Sequence, residues 1–284
     1  MSLSRCCRLF GMSRQAIYQA EHRYRRREQE LAPVRAMVME LRMDMPRLGT
    51  RKVYHLIKEE LAQEQIKMGR DALFNYLRRE NMLIRPKKNY TRTTYSKHWM
   101  RKYPNLLQHT DVTRTEQVLV SDITYIKSRE RTHYLSLVTD AYSRRIMGHH
   151  LSDDMSSENV AKAMKMAIGK RTTALPMIHH SDRGLQYCSE HYQKLLRENN
   201  ITPSMTDGYD CYQNALAERM NGILKQEFLI HRCNTGKELK KLIEQSIDTY
   251  NEKRPHLSLK MQTPNFIHQR TLPDIGQGSS KNRQ

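Results

Sequence analysis

The stretch Val118-Leu-Val-Ser-Asp-Ile-Thr-Tyr-Ile126 sets one carboxylate, Asp122, inside a run of apolar and β-branched residues. Such a run reads as a buried strand. A carboxylate in that setting costs folding free energy unless a partner or a cation offsets its charge, so Asp122 calls for a chemical reason. Downstream the same texture recurs at Tyr134–Asp140 and Arg144–Leu151, and the short links between these runs predict an antiparallel meander. A helical segment, Ser156–Lys170, leads to a short strand, Met177–His180, then to a helix, Glu190–Asn200, and a strand, Ile201–Ser204. Three strands followed by alternating helices and strands is an α/β order. Ala215–His231 and Lys237–Tyr250 read as two closing helices.

Two further carboxylates stand out against this frame. Asp182 follows the fourth strand in His-His-Ser-Asp-Arg-Gly-Leu-Gln-Tyr, and strand ends that meet glycine-containing loops are where open α/β sheets bind ligands. Glu218 lies in the helix Asn-Ala-Leu-Ala-Glu-Arg-Met-Asn-Gly-Ile-Leu-Lys, whose spacing puts Asn214, Asn221 and Lys225 on its own face. Three hard carboxylates suit Mg²⁺ or Mn²⁺, which prefer oxygen ligands. Two such ions about 3.5–4 Å apart can activate the attacking oxygen and stabilise the leaving oxygen of a phosphoryl displacement.

Composition points to the substrate. The chain has 284 residues with 49 Lys plus Arg against 30 Asp plus Glu, a formal charge of +19 spread along its whole length. A polyanion gripped by a folded protein is the natural partner. No run is long and apolar enough for a membrane span or a signal peptide, so a cytoplasmic protein without a membrane partner is expected. Cys6, Cys7, Cys188, Cys211 and Cys233 are odd in number and form no C-x-x-C pair, which excludes a disulfide framework. The spacings of His179, His180, Cys188 and Cys211 match no structural zinc finger.

Upstream, residues 1–32 read as a helix-turn-helix segment with a turn at Gly11, a cap at Ser13 and a small core of Cys6, Leu9, Phe10, Ile17 and Tyr18. Residues 33–85 read as a second helical DNA-binding module, 86–116 as a basic linker, 117–270 as the catalytic core with C-terminal helices, and 271–284 as a flexible tail. Arg14, Arg51 and Lys52 are candidate DNA contacts from the helical modules. Arg183 and Gln186 either touch DNA or hold their loop. His179 and His180 read as structural or DNA-facing, and Asp140 as the cap of its turn.

Taken together, Ser-Asp-Ile-Thr-Tyr-Ile, His-Ser-Asp-Arg-Gly-x-Gln-Tyr and Asn-Ala-x-Ala-Glu-Arg-x-Asn-Gly-x-Leu-Lys resemble the catalytic motifs of insertion-sequence transposases related to retroviral integrase. Between Asp182 and Glu218 lie 35 residues, the Asp-Asp-35-Glu spacing of that superfamily. The chain most resembles the insertion sequence three family, whose C-terminal signature is matched by Tyr250-Asn251-x-x-Arg254-Pro255-His256-x-x-Leu259 and Thr263-Pro264. The resemblance implies an RNase H-like integrase core, a mixed five-stranded sheet flanked by helices, carrying all-α helix-turn-helix modules at its N-terminus. It implies that Asp122, Asp182 and Glu218 are the catalytic metal ligands, holding two Mg²⁺ or Mn²⁺ ions per site, and that Lys225, with Asn214 and Asn221 beside it, contacts DNA. It further implies double-stranded DNA partners (terminal repeats and target), a homo-oligomer assembled on DNA, an upstream reading-frame product as a fusion partner, and a nucleoid-associated place of action. Two positions depart from the family pattern. Leu119 stands where a tryptophan is usual, which reads as a packing substitution, and Gln213 replaces an aspartate. A DNA-binding protein without activity and an RNase H-like nuclease that cleaves without joining are the alternatives.

Overall fold

The computed structural model describes residues 2–84, 99–207, 214–228 and 233–270. The chain divides into two compact units, Met1–Arg85 and Pro86–Gln284. Among the described residues no helix is long and apolar enough to cross a membrane.

The first unit is all-α: α1 (Leu3–Leu9), α2 (Arg14–Asp44), α3 (Thr50–Gln63) and α4 (Arg70–Arg79). Ser13 caps α2 by accepting from the Ala16 N–H at 3.0 Å, and Gly11 supplies the positive φ of the preceding turn. Apolar residues at helical spacing build the core, with Val53, Ile57 and Leu61 of α3 meeting Leu73 and Leu77 of α4 and Val34 and Val38 of α2. Two expectations need correction here. The boundary between residues 32 and 33 falls inside α2, which continues through Pro33. The proline removes only the bond to the Gln29 carbonyl, and Gln29 is exposed. The small N-terminal core does not form either. Leu9, Phe10 and Tyr18 are exposed and only Cys7 of this hairpin is buried, because a seven-residue helix presents too little surface to cover them.

The second unit is built on a five-stranded mixed sheet: β1 (Val118–Lys127), β2 (Thr132–Asp140), β3 (Ile146–Ser152), β4 (Met177–Ser181) and β5 (Ile201–Met205), in the order β3-β2-β1-β4-β5. β1, β2 and β3 pair antiparallel, whereas β4 joins β1 and β5 joins β4 in parallel. The odd residues of β1 face a core shared with α5 (Ser157–Gly169), α6 (Leu185–Cys188) and α7 (Glu190–Glu198), where Leu119 is wholly buried among Val160, Met164 and Leu196. Leucine fills its space by packing alone. The even residues face the other side, where Val118 and Val120 meet Ala217 of α8 (Ala215–Glu227). α9 (Gly236–Lys253) opens with a capping box between Thr235 and Glu238, and α10 (Pro264–Arg270) ends the described chain.

The expected linker, 86–116, is described only from residue 99 onward. Residues 85–98 lie outside the described residues, as do Gln213, Cys211 and the tail 271–284. From residue 100 onward the chain packs on the core: the Leu106 N–H donates to Ser204 Oγ at 3.0 Å, and Met100 and Tyr103 lie against the apolar cluster. Thr115 and Glu116 are wholly buried. Glu116 accepts from the backbone N–H groups of both Thr172 and Thr173 at 2.9 Å, so what reads as a tether is the first layer of the core. α8 ends at Glu227 rather than at His231, and residues 229–232 lie outside the description.

The C-terminal signature clamps this architecture. Asn251 of α9 donates to the Ile146 carbonyl and accepts from the Ile146 N–H, pairing the first residue of the edge strand β3. Arg254, 1% exposed, forms two bonds of 2.8 and 2.7 Å to the Glu227 carboxylate, and Tyr250 hydrogen-bonds His256 at 2.8 Å. Buried ion pairs of this kind need both partners in place.

Candidate active site

Sheet topology brings the three carboxylates together. Asp122 sits midway along β1, Asp182 comes one residue after β4, the parallel neighbour of β1, and Glu218 lies in the first turn of α8, which packs across β1. The chain reaches these points through a strand, a strand end and a helix, so no local stretch of sequence contains the site.

Local donors hold each aspartate. Asp122 is half-buried, its Oδ1 accepting from the Ile123 N–H at 2.9 Å and its Oδ2 from the Asn221 side-chain amide at 2.7 Å. Asp182 Oδ1 accepts from the Gly184 N–H at 3.0 Å. A Cβ on Gly184 would stand 3.0 Å from that oxygen and 3.1 Å from Gln186 Oε1, which favours glycine at this turn. Burial and then the neighbouring charge of Asp182, with a smaller contribution from Glu218, drive Asp122 up to about 7, against the pull of its two donors. The Glu218 carboxyl is pushed up as well, by burial and by Asp182. Lys225 is pushed down by burial and partly held up by Asp122. The site concentrates negative charge around Asp122.

Such a surplus fits a hard divalent cation. Among the described residues no group of three or more His, Cys, Asp or Glu side chains stands arranged to hold a metal ion. Mg²⁺ ordinarily binds through one or two carboxylates plus waters and substrate phosphates, so an open arrangement suits it. The carboxylates nearest such an ion would be Asp122, Asp182 and Glu218, whose charges bear on one another. The zinc set His179, His180 and Cys188 forms no such group, and Cys6, Cys7, Cys188 and Cys233 are free.

The candidate DNA contacts divide into two kinds. Asn214 and Asn221 are 5% and 4% exposed and turned inward, donating to the Ser121 carbonyl at 3.2 Å and to Asp122. In this structure they act on β1 and not at the outer surface, because α8 packs too closely on β1 for amides on that face to reach solvent. Arg183 lies 3.8 Å from Asp207, and Lys225 stands one helical turn beyond Asn221 on the carboxylate side. In the first unit Arg14 and Arg51 are exposed and Lys52 is partly exposed.

Next to the strand that carries Asp122 lies a polar aromatic layer built on His179, one of the two histidines expected to be structural or DNA-facing. His179 is fully buried and hydrogen-bonds Ser121 Oγ at 2.8 Å and the Tyr192 hydroxyl at 3.0 Å. Burial holds its pKa down to about 3, so it is neutral and structural. His180 pairs with Ser204 at 2.9 Å. Asp140 accepts from the Ser143 N–H at 2.6 Å and from its hydroxyl at 2.7 Å, the geometry of a turn cap.

Residues 112–211 match the family described as Integrase core domain, and residues 199–264 match a second family of the same description. The chain is 33% identical over 264 residues to the insertion element IS600 uncharacterized 31 kDa protein of Shigella sonnei, covering 91% of this chain and 95% of that one. It is 35% identical over 179 residues to the transposase for insertion sequence element IS904 of Lactococcus lactis, covering 59% of this chain and 70% of that one. The chain belongs to the IS3 family of insertion-sequence transposases. A shorter match, 34% identical over 152 residues and 53% of each chain, is to transposase InsF for insertion sequence IS3A of Escherichia coli. Among solved structures, the HTLV-2 integrase catalytic core domain in complex with magnesium (dimeric form) is 20% identical with a TM-score of 0.44, covering 55% of this chain and 97% of that one. The simian T-cell lymphotropic virus intasome in complex with PP2A regulatory subunit B56 gamma is 17% identical with a TM-score of 0.49, covering 80% of this chain and 76% of that one. The second unit is thus an RNase H-like integrase core, with the expected mixed five-stranded sheet and the helical region ahead of it.

Proposed function

We propose that this family member cleaves insertion-sequence ends and joins them to target DNA through the triad Asp122, Asp182 and Glu218. The observation that carries the reading is electrostatic: the charges of Asp182 and Glu218 both bear on Asp122, which burial and this repulsion drive up to about 7. Carboxylates whose charges bear on one another repel a phosphate backbone, so a DNA-acting site of this kind would call for cations between them. Two Mg²⁺ or Mn²⁺ ions, when bound, would activate the attacking oxygen and offset charge on the leaving oxygen of an in-line displacement.

The chain's own residues do the rest. Asn221 fixes the Asp122 carboxylate from α8, the Gly184 N–H fixes Asp182, and the first turn of α8 carries Glu218. Lys225 and Arg183 would steer a phosphate toward the carboxylates. Arg14, Arg51 and Lys52 of the first unit, within a chain of net charge +19, would bind the terminal repeats of the element. Double-stranded DNA, a homo-oligomer on paired ends, an upstream reading-frame product as fusion partner and a nucleoid-associated place of action in the cytoplasm complete the proposal.

The test is a cleavage and strand-transfer assay on DNA carrying the element's ends, with Mg²⁺ or Mn²⁺, comparing the unaltered chain with Glu218→Gln. Metal-dependent joining that is lost in the variant while DNA binding persists supports the reading. Equal activity in both would overturn the triad. Cleavage without joining would replace transposition with a nuclease, and binding without cleavage would leave a DNA-binding protein.

A further inference from the structure

The chain has one tryptophan, Trp99, and it is 90% exposed, the most exposed of the large apolar side chains among the described residues. The backbone that follows it is held in place. Met100 and Tyr103 pack against the apolar cluster of α5, α6 and α7, the Pro104 carbonyl accepts from the Met205 N–H at 3.3 Å, and the Leu106 N–H donates to Ser204 Oγ. The indole is thus carried outward at the head of an anchored segment. Arg101 and Lys102, two and three residues on, are exposed, and Arg101 lies over the Tyr103 ring at 5.2 Å. No Asp or Glu occurs between Glu80 and Asp111, a stretch that holds seven Lys or Arg. Farther along the same segment, the Gln108 side-chain amide donates to Asp207 at 2.6 Å, and Asp207 lies 3.8 Å from Arg183, the residue after Asp182.

An indole left in water forfeits the burial that so large a ring gains elsewhere. A partner that covers this one meets cations and no carboxylate from the stretch that carries it, which selects a polyanion over an ordinary protein face. Nucleic acid adds flat aromatic faces to its phosphates, and bases stack on aromatic side chains while neighbouring cations track the backbone. A base inside a duplex is already stacked on both faces, so the ring reaches one only where the stack is open. We propose that Trp99 stacks on an unpaired base of the DNA substrate, with Arg101 and Lys102 on the adjoining phosphates. The inference rests on the DNA-acting reading above and adds to it a preference for DNA with an unpaired stretch. Because Met100, Tyr103 and Pro104 are already fixed, little ordering of the chain opposes the contact.

The experiment uses the full chain and two DNAs, an element-end duplex with an unpaired flank and a relaxed circular duplex of the same sequence. With one tryptophan in the chain, its emission reports the contact directly. Emission should be quenched when the flanked DNA binds and unchanged when the circle binds. Trp99→Ala should weaken binding of the flanked DNA about tenfold and leave the circle unaffected. Trp99→Tyr should recover most of that loss, and Arg101→Ala should weaken both DNAs alike. Trp99→Ala should melt with the parent, because the ring is exposed. Flanked DNA bound with unchanged emission and with equal affinity in Trp99→Ala would overturn the inference and leave the DNA-acting reading in place. Emission that follows protein concentration and not DNA would also overturn it, making the ring a contact between copies of the chain. If the parent binds neither DNA, the DNA-acting reading fails and takes this inference with it.

Discussion

Asn221 of α8 donates its side-chain amide to Asp122 Oδ2 of β1 across 2.7 Å, and its own Oδ1 is buried without a partner. A single side chain therefore links the helix that carries Glu218 to the strand that carries Asp122. The cost of leaving one amide oxygen unpaired is offset by a bond to a carboxylate, the stronger kind.

Removing that amide should loosen the carboxylate without dismantling the fold. Asn221→Ala is expected to lower the cleavage rate about 10–100-fold. It should cost on the order of 1–2 kcal/mol in stability. Paired cleavage assays and urea unfolding would check this, and full activity in the variant would show that Asp122 needs no such support.

Asp122→Asn should abolish cleavage yet stabilise the metal-free chain. The folded pKa, about 7, lies above the ordinary value of 3.8. The folded state thus holds its proton longer than the unfolded chain, and stability declines as pH rises from about 4 through 7. At pH 8 the variant should be more stable than the parent by about 4 kcal/mol, and the difference should vanish near pH 4. Mn²⁺ should raise the melting temperature of the parent more than that of the variant. Thermal melts across this range, with and without Mn²⁺, would decide.

The opposite sign applies at Glu116, where burial would push the carboxyl up but the contact with His268 and the donors of Thr172 and Thr173 outweigh it and hold it at about 2. The unfolded value is near 4.5, so this contribution is complete above about pH 4.5 and is lost as pH falls toward 2. It amounts to about 3 kcal/mol. Glu116→Gln should be less stable at pH 7 and show a flatter stability profile between pH 5 and 2. An unchanged slope in the variant would locate the acid-sensitive group elsewhere.

Gly148 is where β3 meets α5 most closely. A Cβ there would stand 2.0 Å from the Ala163 carbonyl oxygen and 2.9 Å from the Ala167 nitrogen, both backbone atoms that cannot rotate away. Gly148→Ala should cost more than about 3 kcal/mol, since the helix must lift off the sheet. A melting temperature within a degree of the parent would contradict this packing.

Much of the core was legible because its strands are short, β-branched and bounded by clear turns: Val118–Lys127 forms over its expected bounds, and Met177–Ser181 and Ile201–Met205 exceed theirs by one residue. Helix α2 was harder. A boundary is expected at Pro33, and burial of Leu31, Val34, Met37 and Val38, with α2 packed on α3, shows why the helix continues. The hairpin core around Leu9 and Phe10 failed for the converse reason: periodicity marks an apolar face but not whether anything covers it.

By itself the sequence determined the element order, the basic surface suited to a polyanion, and the three carboxylates in their ordered motifs, because periodicity and motif spacing are properties of the linear chain. Only the tertiary structure decided that Asn214 and Asn221 turn inward onto β1, that residues 100–116 belong to the core, and that the Tyr187 hydroxyl lies buried without a partner. Helical spacing places a residue on a face. Which face meets the strand, and how closely, depends on contacts between segments about a hundred residues apart, such as Ser121 with Asn214 and Asp122 with Asn221.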